Sequence, residues 1–143
     1  MRIIQAPNNE TKIKELMCPC VYLIGPKQDW HVEFMKSVKY IITTYLPSEE
    51  MSEELLIWNH RRLAMADFVL ARLDERFAPL SYLEIMHAQK DVVISVPKNV
   101  DPNVVSYIKM FKPSAMIVEC GDADVGGYFA SIVNKYCVER IKI

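Results

Sequence analysis

The stretch "APLSYLEIMHAQ", Ala78 to Gln89, carries one acid, Glu84, at the start of a segment with helical spacing. Two chemistries compete for it. Ser81 and Glu84 have the S-x-x-E spacing of a capping box, whose hydroxyl and carboxylate satisfy free N–H groups of a first helical turn. On a helical wheel, however, Tyr82, Leu83, Ile85 and Met86 form the apolar arc, so Glu84 projects away from it, toward solvent or a cleft. A carboxylate in a cleft can attack an electrophilic carbon or transfer a proton.

Other side chains with chemical capacity cluster in loops. "GPKQDW" offers Gly25, Pro26, Lys27 and Trp30, enough to hold one anionic group or to stack on a heterocycle; a plain Gly-Pro turn and a core tryptophan are the structural alternatives. It has one glycine, neither a G-x-G-x-x-G fingerprint nor a Walker loop. Trp58 carries the same ambiguity as Trp30. Asn59 has the donors and acceptor to bind a sugar hydroxyl or a base edge, or simply faces water. Asp74 lies at the carboxyl end of a strand and is a better site candidate than Asp67, which is read as a turn contact at the opposite end of the sheet; a solvated loop acid is the structural alternative for Asp74. Cys18, Cys20, Cys120 and Cys137 lack C-x-x-C spacing, and His31, His60 and His87 are scattered. Neither a metal nor another cofactor is expected, and the thiols are read as small buried side chains.

These groups must be positioned by an α/β domain. Short β-rich runs alternate with stretches of helical period, the pattern of a mostly parallel sheet between two helical layers. Strands are expected at "MRIIQAP", which is placed at an edge, and at "CVYLIG", "DFVLARLD", "DVVISVP" and "SAMIVEC", giving about five in a Rossmann- or flavodoxin-like three-layer sandwich. From Asp29, with that residue as N-cap, Phe34, Val38, Ile41 and Ile42 mark a helix ending near Leu46-Pro47. Further helices are expected from "SEEMSEELL" onward, around Glu84, from Asp101-Pro102 through Met110, and over "DADVGGYFASIVNKYCVERIKI", where Gly126-Gly127 weakens the first turn. Ligands of such a sheet sit beyond the carboxyl ends of its strands.

The 143 residues fit one domain, and no linker divides them. Seventeen basic against eighteen acidic residues, with no basic cluster, argue against a nucleic-acid partner. No apolar h-region or spanning run is present, so a soluble, cytoplasmic protein without membrane partners is expected.

Taken in order, "IIQAP", "VYLIGP", Asp29-Trp30, "IWN…AMADFVL" and "APLSYLEIM" resemble the nucleoside 2-deoxyribosyltransferase-like family, especially its phage and bacterial branch. The resemblance covers most of the chain. It implies that Glu84 is the glutamate that attacks the anomeric carbon of a nucleoside. It also implies that Tyr22, in the first core strand, hydrogen-bonds that carboxylate, that Ser81 lies on the hydroxyl-rich approach, and that Gly25 and Pro26 border the sugar. Asn59 stands where relatives commonly have a carboxylate, and Met86 replaces a glycine. The partners implied are a nucleoside or nucleotide, a free base and, since relatives complete their pockets from a neighbouring subunit, further copies of the chain in a dimer or larger homo-oligomer. The expected activity is transfer of the sugar to another base. Hydrolysis on the same scaffold, or ligand binding without turnover, are the rival readings.

Overall fold

The computed structural model describes residues 2–5, 19–25, 29–47, 52–73 and 79–141. Within them lie six strands and five helices: β1 (Arg2–Gln5), β2 (Cys20–Ile24), α1 (Asp29–Ser37), β3 (Thr43–Leu46), α2 (Glu53–Met65), β4 (Phe68–Arg72), α3 (Pro79–His87), β5 (Asp91–Val96), α4 (Pro102–Phe111), β6 (Met116–Glu119) and α5 (Val125–Ile141). The strands form one sheet in the order β1-β3-β2-β4-β5-β6, with every neighbouring pair parallel. Leaving β1 aside, this is the flavodoxin-like winding, and the expected α/β class and three-layer architecture are what the chain adopts. Beyond β2 the chain steps one way to β3; beyond β4 it steps the other way to β5. The topological switch point therefore lies between β2 and β4.

The count of strands is six rather than five. "TTYL", Thr43–Leu46, is β3 and not the end of a helix. The helix starting at Asp29 stops at Ser37. The apolar residues Val38, Ile41 and Ile42 mimic a helical face, but the β-branched run Ile41 to Thr44 favours a strand. β3 can then pair on both sides, with Arg2–Gln5 and with Cys20–Tyr22. Asp29 is accordingly the first residue of a nine-residue helix and not a cap outside a long one. β1 is an edge strand, as "MRIIQAP" suggested.

Strand alternation divides the interior into two cores. Cys20, Tyr22 and Ile24 of β2 point to one face, where Val69 and Ala71, Val92 and Ile94 join Trp58 and Leu63 of α2, Ile85 of α3 and Ile108 of α4. Val21 and Leu23 point to the other, where Phe68, Leu70 and Val93 meet Trp30 and Phe34 of α1 and Val125, Phe129 and Val133 of α5.

Helix ends follow their capping chemistry. The Ser52 hydroxyl accepts from the Leu55 N–H at 3.2 Å and starts α2; the Asp101 carboxylate accepts from the Asn103 N–H at 2.9 Å, ahead of Pro102, and starts α4. The Gly126 pair position, expected only to weaken α5, has a packing reason. A Cβ there would sit 2.5 Å from the Trp30 carbonyl oxygen and 2.9 Å from the Phe34 nitrogen, so its absence lets α5 lie against the backbone of α1. No helix among the described residues is long and apolar enough to cross a membrane.

Candidate functional site

Tyr22 occupies the middle of β2, fully buried, on the face covered by α2, α3 and α4. β4 is the neighbouring strand, with Val69 opposite Tyr22, and α3 follows β4 in the chain. Glu84, the sixth residue of α3, is thereby carried back over β2. The Tyr22 hydroxyl donates a hydrogen bond to Glu84 Oε2 across 62 positions of sequence. The expected contact is present.

The capping box is not. α3 starts at Pro79, so Ser81 is its third residue and cannot be its N-cap, while the Glu84 carboxylate is engaged with Tyr22. The helical wheel also needs correction. Ile85 and Ala88 are the buried residues of this segment and Leu83 is 58% exposed, so the inward stripe passes through Glu84 rather than opposite it. Counting apolar residues pulled the arc toward Leu83; the i, i+3, i+4 stripe that meets the sheet is set instead by the small and branched residues that fit against β4.

Burial governs the electrostatics of the pair. Glu84 is half-buried, and loss of hydration raises its carboxyl to about 7, with the Tyr22 hydrogen bond acting in the opposite direction. Tyr22 is pushed far up, first by burial, then by the Glu84 charge and the hydrogen bond itself, so it stays a neutral donor. The position of Glu84 in the body of α3 also removes the close N-terminal N–H groups that would have held it ionised. At neutral pH the carboxyl is therefore divided between its two protonation states. Such a group can serve as nucleophile when ionised and as proton donor when not.

The other expected residues scatter. Gly25 closes β2 at the switch point with φ +126°, and a Cβ there would meet the Arg72 carbonyl oxygen at 2.7 Å, so glycine is needed for both conformation and space. Asn59 is 2% exposed, on the same sheet face as Tyr22, and not on the water-facing side of α2. Trp58 packs in that core as well. Ser81 is half-buried on α3. Trp30 lies on the other sheet face, edge-on to Phe129 at 5.5 Å and against His31 at 3.8 Å; it belongs to the α1–α5 core and is not brought to Glu84. Pro26, Lys27, Asp74 and Cys18 lie outside the described residues. Asp67 has the structural role expected of it, accepting from the Cys20 N–H at 2.8 Å at the amino end of the sheet, with Lys90 at 3.5 Å. Cys20 and Cys137 are buried and Cys120 is half-buried, and none of the three is in a disulfide.

Two buried guanidinium groups were not anticipated. Arg62, on α2, lies over the rings of Trp58 at 5.3 Å and Tyr45 at 5.8 Å, a cation–π pair on the face that carries the candidate site. Arg72 ends β4 on the opposite face and bonds Ser95, Cys120 and Asp122. The signal for Arg72 was present: a charged residue inside the apolar run "DFVLARL" is a buried cation in need of partners. Among the described residues no group of three or more histidine, cysteine, aspartate or glutamate side chains could hold a metal ion.

No protein-family model matches this chain, and no curated protein is detectably similar to it in sequence.

Proposed function

We propose that this chain is a nucleoside 2-deoxyribosyltransferase-like enzyme in which Glu84 attacks C1′ of a 2′-deoxynucleoside. The observation that carries the reading is the hydrogen bond from the buried Tyr22 hydroxyl to the Glu84 carboxylate. It occurs beside the switch point of the sheet, the region where open α/β sheets bind ligands. It also joins two residues that the family resemblance singles out from distant parts of the sequence.

In the first step an ionised Glu84 oxygen bonds to C1′ as the C1′–N bond breaks. The electron pair leaves with the base, which takes up a proton, and the sugar remains as a glycosyl ester. A nitrogen of a second base then attacks C1′, gives up its N–H proton in place of the one the first base took up, and releases Glu84 as the carboxylate. Two inversions give overall retention, the logic of retaining glycosidases. Tyr22 fixes which carboxylate oxygen is free to attack, since Oε2 is held by the hydroxyl. Asn59 and Ser81 are the candidates for sugar contacts, and Trp58 for a contact with the base. A cytoplasmic homo-oligomer, dimer or larger, acting on a nucleoside or nucleotide without a cofactor, goes with this reading.

A second reading is hydrolysis of the same bond, with water as the acceptor. Glu84 would then act as general base toward water, a role suited to a carboxyl that burial raises to about 7, since the ionised form is a stronger base than an ordinary carboxylate.

Incubation of wild type and Glu84→Gln with a panel of deoxynucleosides and free bases separates these outcomes. Base exchange by wild type alone is the expected result. Free deoxyribose without exchange would point to the hydrolase. Tight ligand binding with equal silence from both proteins would mean a binding protein and end the enzymatic proposal.

A further inference from the structure

The carboxyl end of β4 buries a cation in the α1–α5 core. Arg72 is 2% exposed. Its Nη1 donates to Ser95 Oγ at 2.8 Å and to the Cys120 carbonyl at 2.9 Å, and its Nη2 donates to Asp122 Oδ1 at 2.7 Å. Its Nε–H is buried and has no acceptor among the described residues. In a guanidinium, Nε–H and the adjacent Nη2–H form the side-on edge that grips two oxygens of one carboxylate or phosphate. Here that edge is half filled: one oxygen of Asp122 sits on Nη2, and among the described residues none reaches Nε.

The two partners of this ion pair are mismatched in burial. The Asp122 side chain is 85% exposed, so water competes for its charge and little binds it in place. The guanidinium it covers is desolvated and requires an anion. Exchange of Asp122 for another oxyanion would cost little and would satisfy a second buried donor.

We propose that Arg72 is the centre of a phosphate-group site at this end of the sheet, with Asp122 as a displaceable internal substitute for the ligand. The location suits the ligand. The site lies at the carboxyl ends of β4 and β5, and the seventeen-residue helix α5 begins three residues beyond Asp122 with its positive end nearby. Ser95 Oγ lies 2.9 Å from Cys120 Sγ, so the hydroxyl that accepts from Arg72 is itself held. Asp124, two residues on, opposes an anion and limits affinity. The site is on the opposite sheet face from Glu84 and stands independently of the glycosyl chemistry.

Asp122→Ala tests it: the exposed side chain itself packs against little, and its loss uncovers the Arg72 charge, so the variant is expected to be less stable than wild type until an anion replaces it. The probe is inorganic phosphate, against sodium chloride of equal ionic strength. Phosphate is expected to raise the Tm of the variant by about 3 °C or more and that of wild type by less, because wild type must first give up Asp122. The Arg72 Nε–H resonance, assigned by its loss in Arg72→Lys, is expected to shift along the same titration. Absence of a phosphate-specific rise in both proteins overturns the proposal. So does a rise with the Arg72 resonance unmoved, which would mean an adventitious ion only. Should the variant not fold, the wild-type resonance decides: movement with phosphate supports the site and silence to saturation overturns it.

Discussion

Glu84 is held by two opposed effects, and their balance can be measured without knowing the substrate. Burial raises its carboxyl to about 7 and the Tyr22 hydroxyl pulls it down. Tyr22→Phe removes only the second, so the carboxyl should titrate at higher pH in the variant; a carboxyl-carbon NMR titration reads this directly, and an unchanged midpoint would refute the coupling. If Glu84 acts as nucleophile, activity should rise with pH through about 7, as the carboxylate forms, and Tyr22→Phe should move that limb upward. Stability responds with the opposite sign. The folded value lies above the unfolded one of 4.5, so between them the folded protein binds more protons and becomes less stable as pH rises, the full penalty being present above about pH 7. Relative to Glu84→Gln, wild type should lose on the order of 3 kcal/mol between pH 4.5 and pH 8 in urea unfolding. Equal pH dependence of the two proteins would show that the carboxyl is not desolvated.

At the scale of elements, the sequence was legible where local pattern and tertiary demand agree. The continuous apolar runs of β2, β4 and β5 are the mark of strands buried on both faces, and Asp101-Pro102 marked the start of α4. It misled where two periods coexist, as at Val38 to Ile42, and where a spacing has two uses, as in S-x-x-E. The Tyr22–Glu84 contact was reached only through resemblance, because nothing local to either residue reports a partner 62 positions away. The adjacent glycines of α5 show the same division between local and tertiary demands. A Cβ at Gly127 meets nothing within 4 Å, whereas one at Gly126 would collide with α1. Gly127→Ala should therefore stabilise by about 0.5 kcal/mol through helix propensity, and Gly126→Ala should destabilise by about 1–3 kcal/mol through overpacking. Urea midpoints of the two variants check this, and equal shifts would contradict the close approach of α5 to α1.

At the scale of the molecule, one parallel sheet serves two cores, and neither can form without it. Tyr22 and Leu23 are neighbours in β2 yet belong to different cores, so loss of β2 opens both. The order of the strands then predicts a gradient of local stability. β2, β4 and β5 have a hydrogen-bonded neighbour on each side, while β1 and β6 have one, and Ile3 and Met116 on those edges are about half exposed. Native-state hydrogen exchange should find the amides of Leu23, Leu70 and Ile94 exchanging only through global unfolding, at the free energy given by urea, with Ile4 and Val118 exchanging earlier through fraying of the edges. Glu84 depends on that inner set, because its hydroxyl partner is anchored in β2 and its helix rests on β4. If the central amides instead exchanged at lower free energy than the edges, the pair would be held by a locally unstable floor, and Glu84 would spend part of its time without Tyr22.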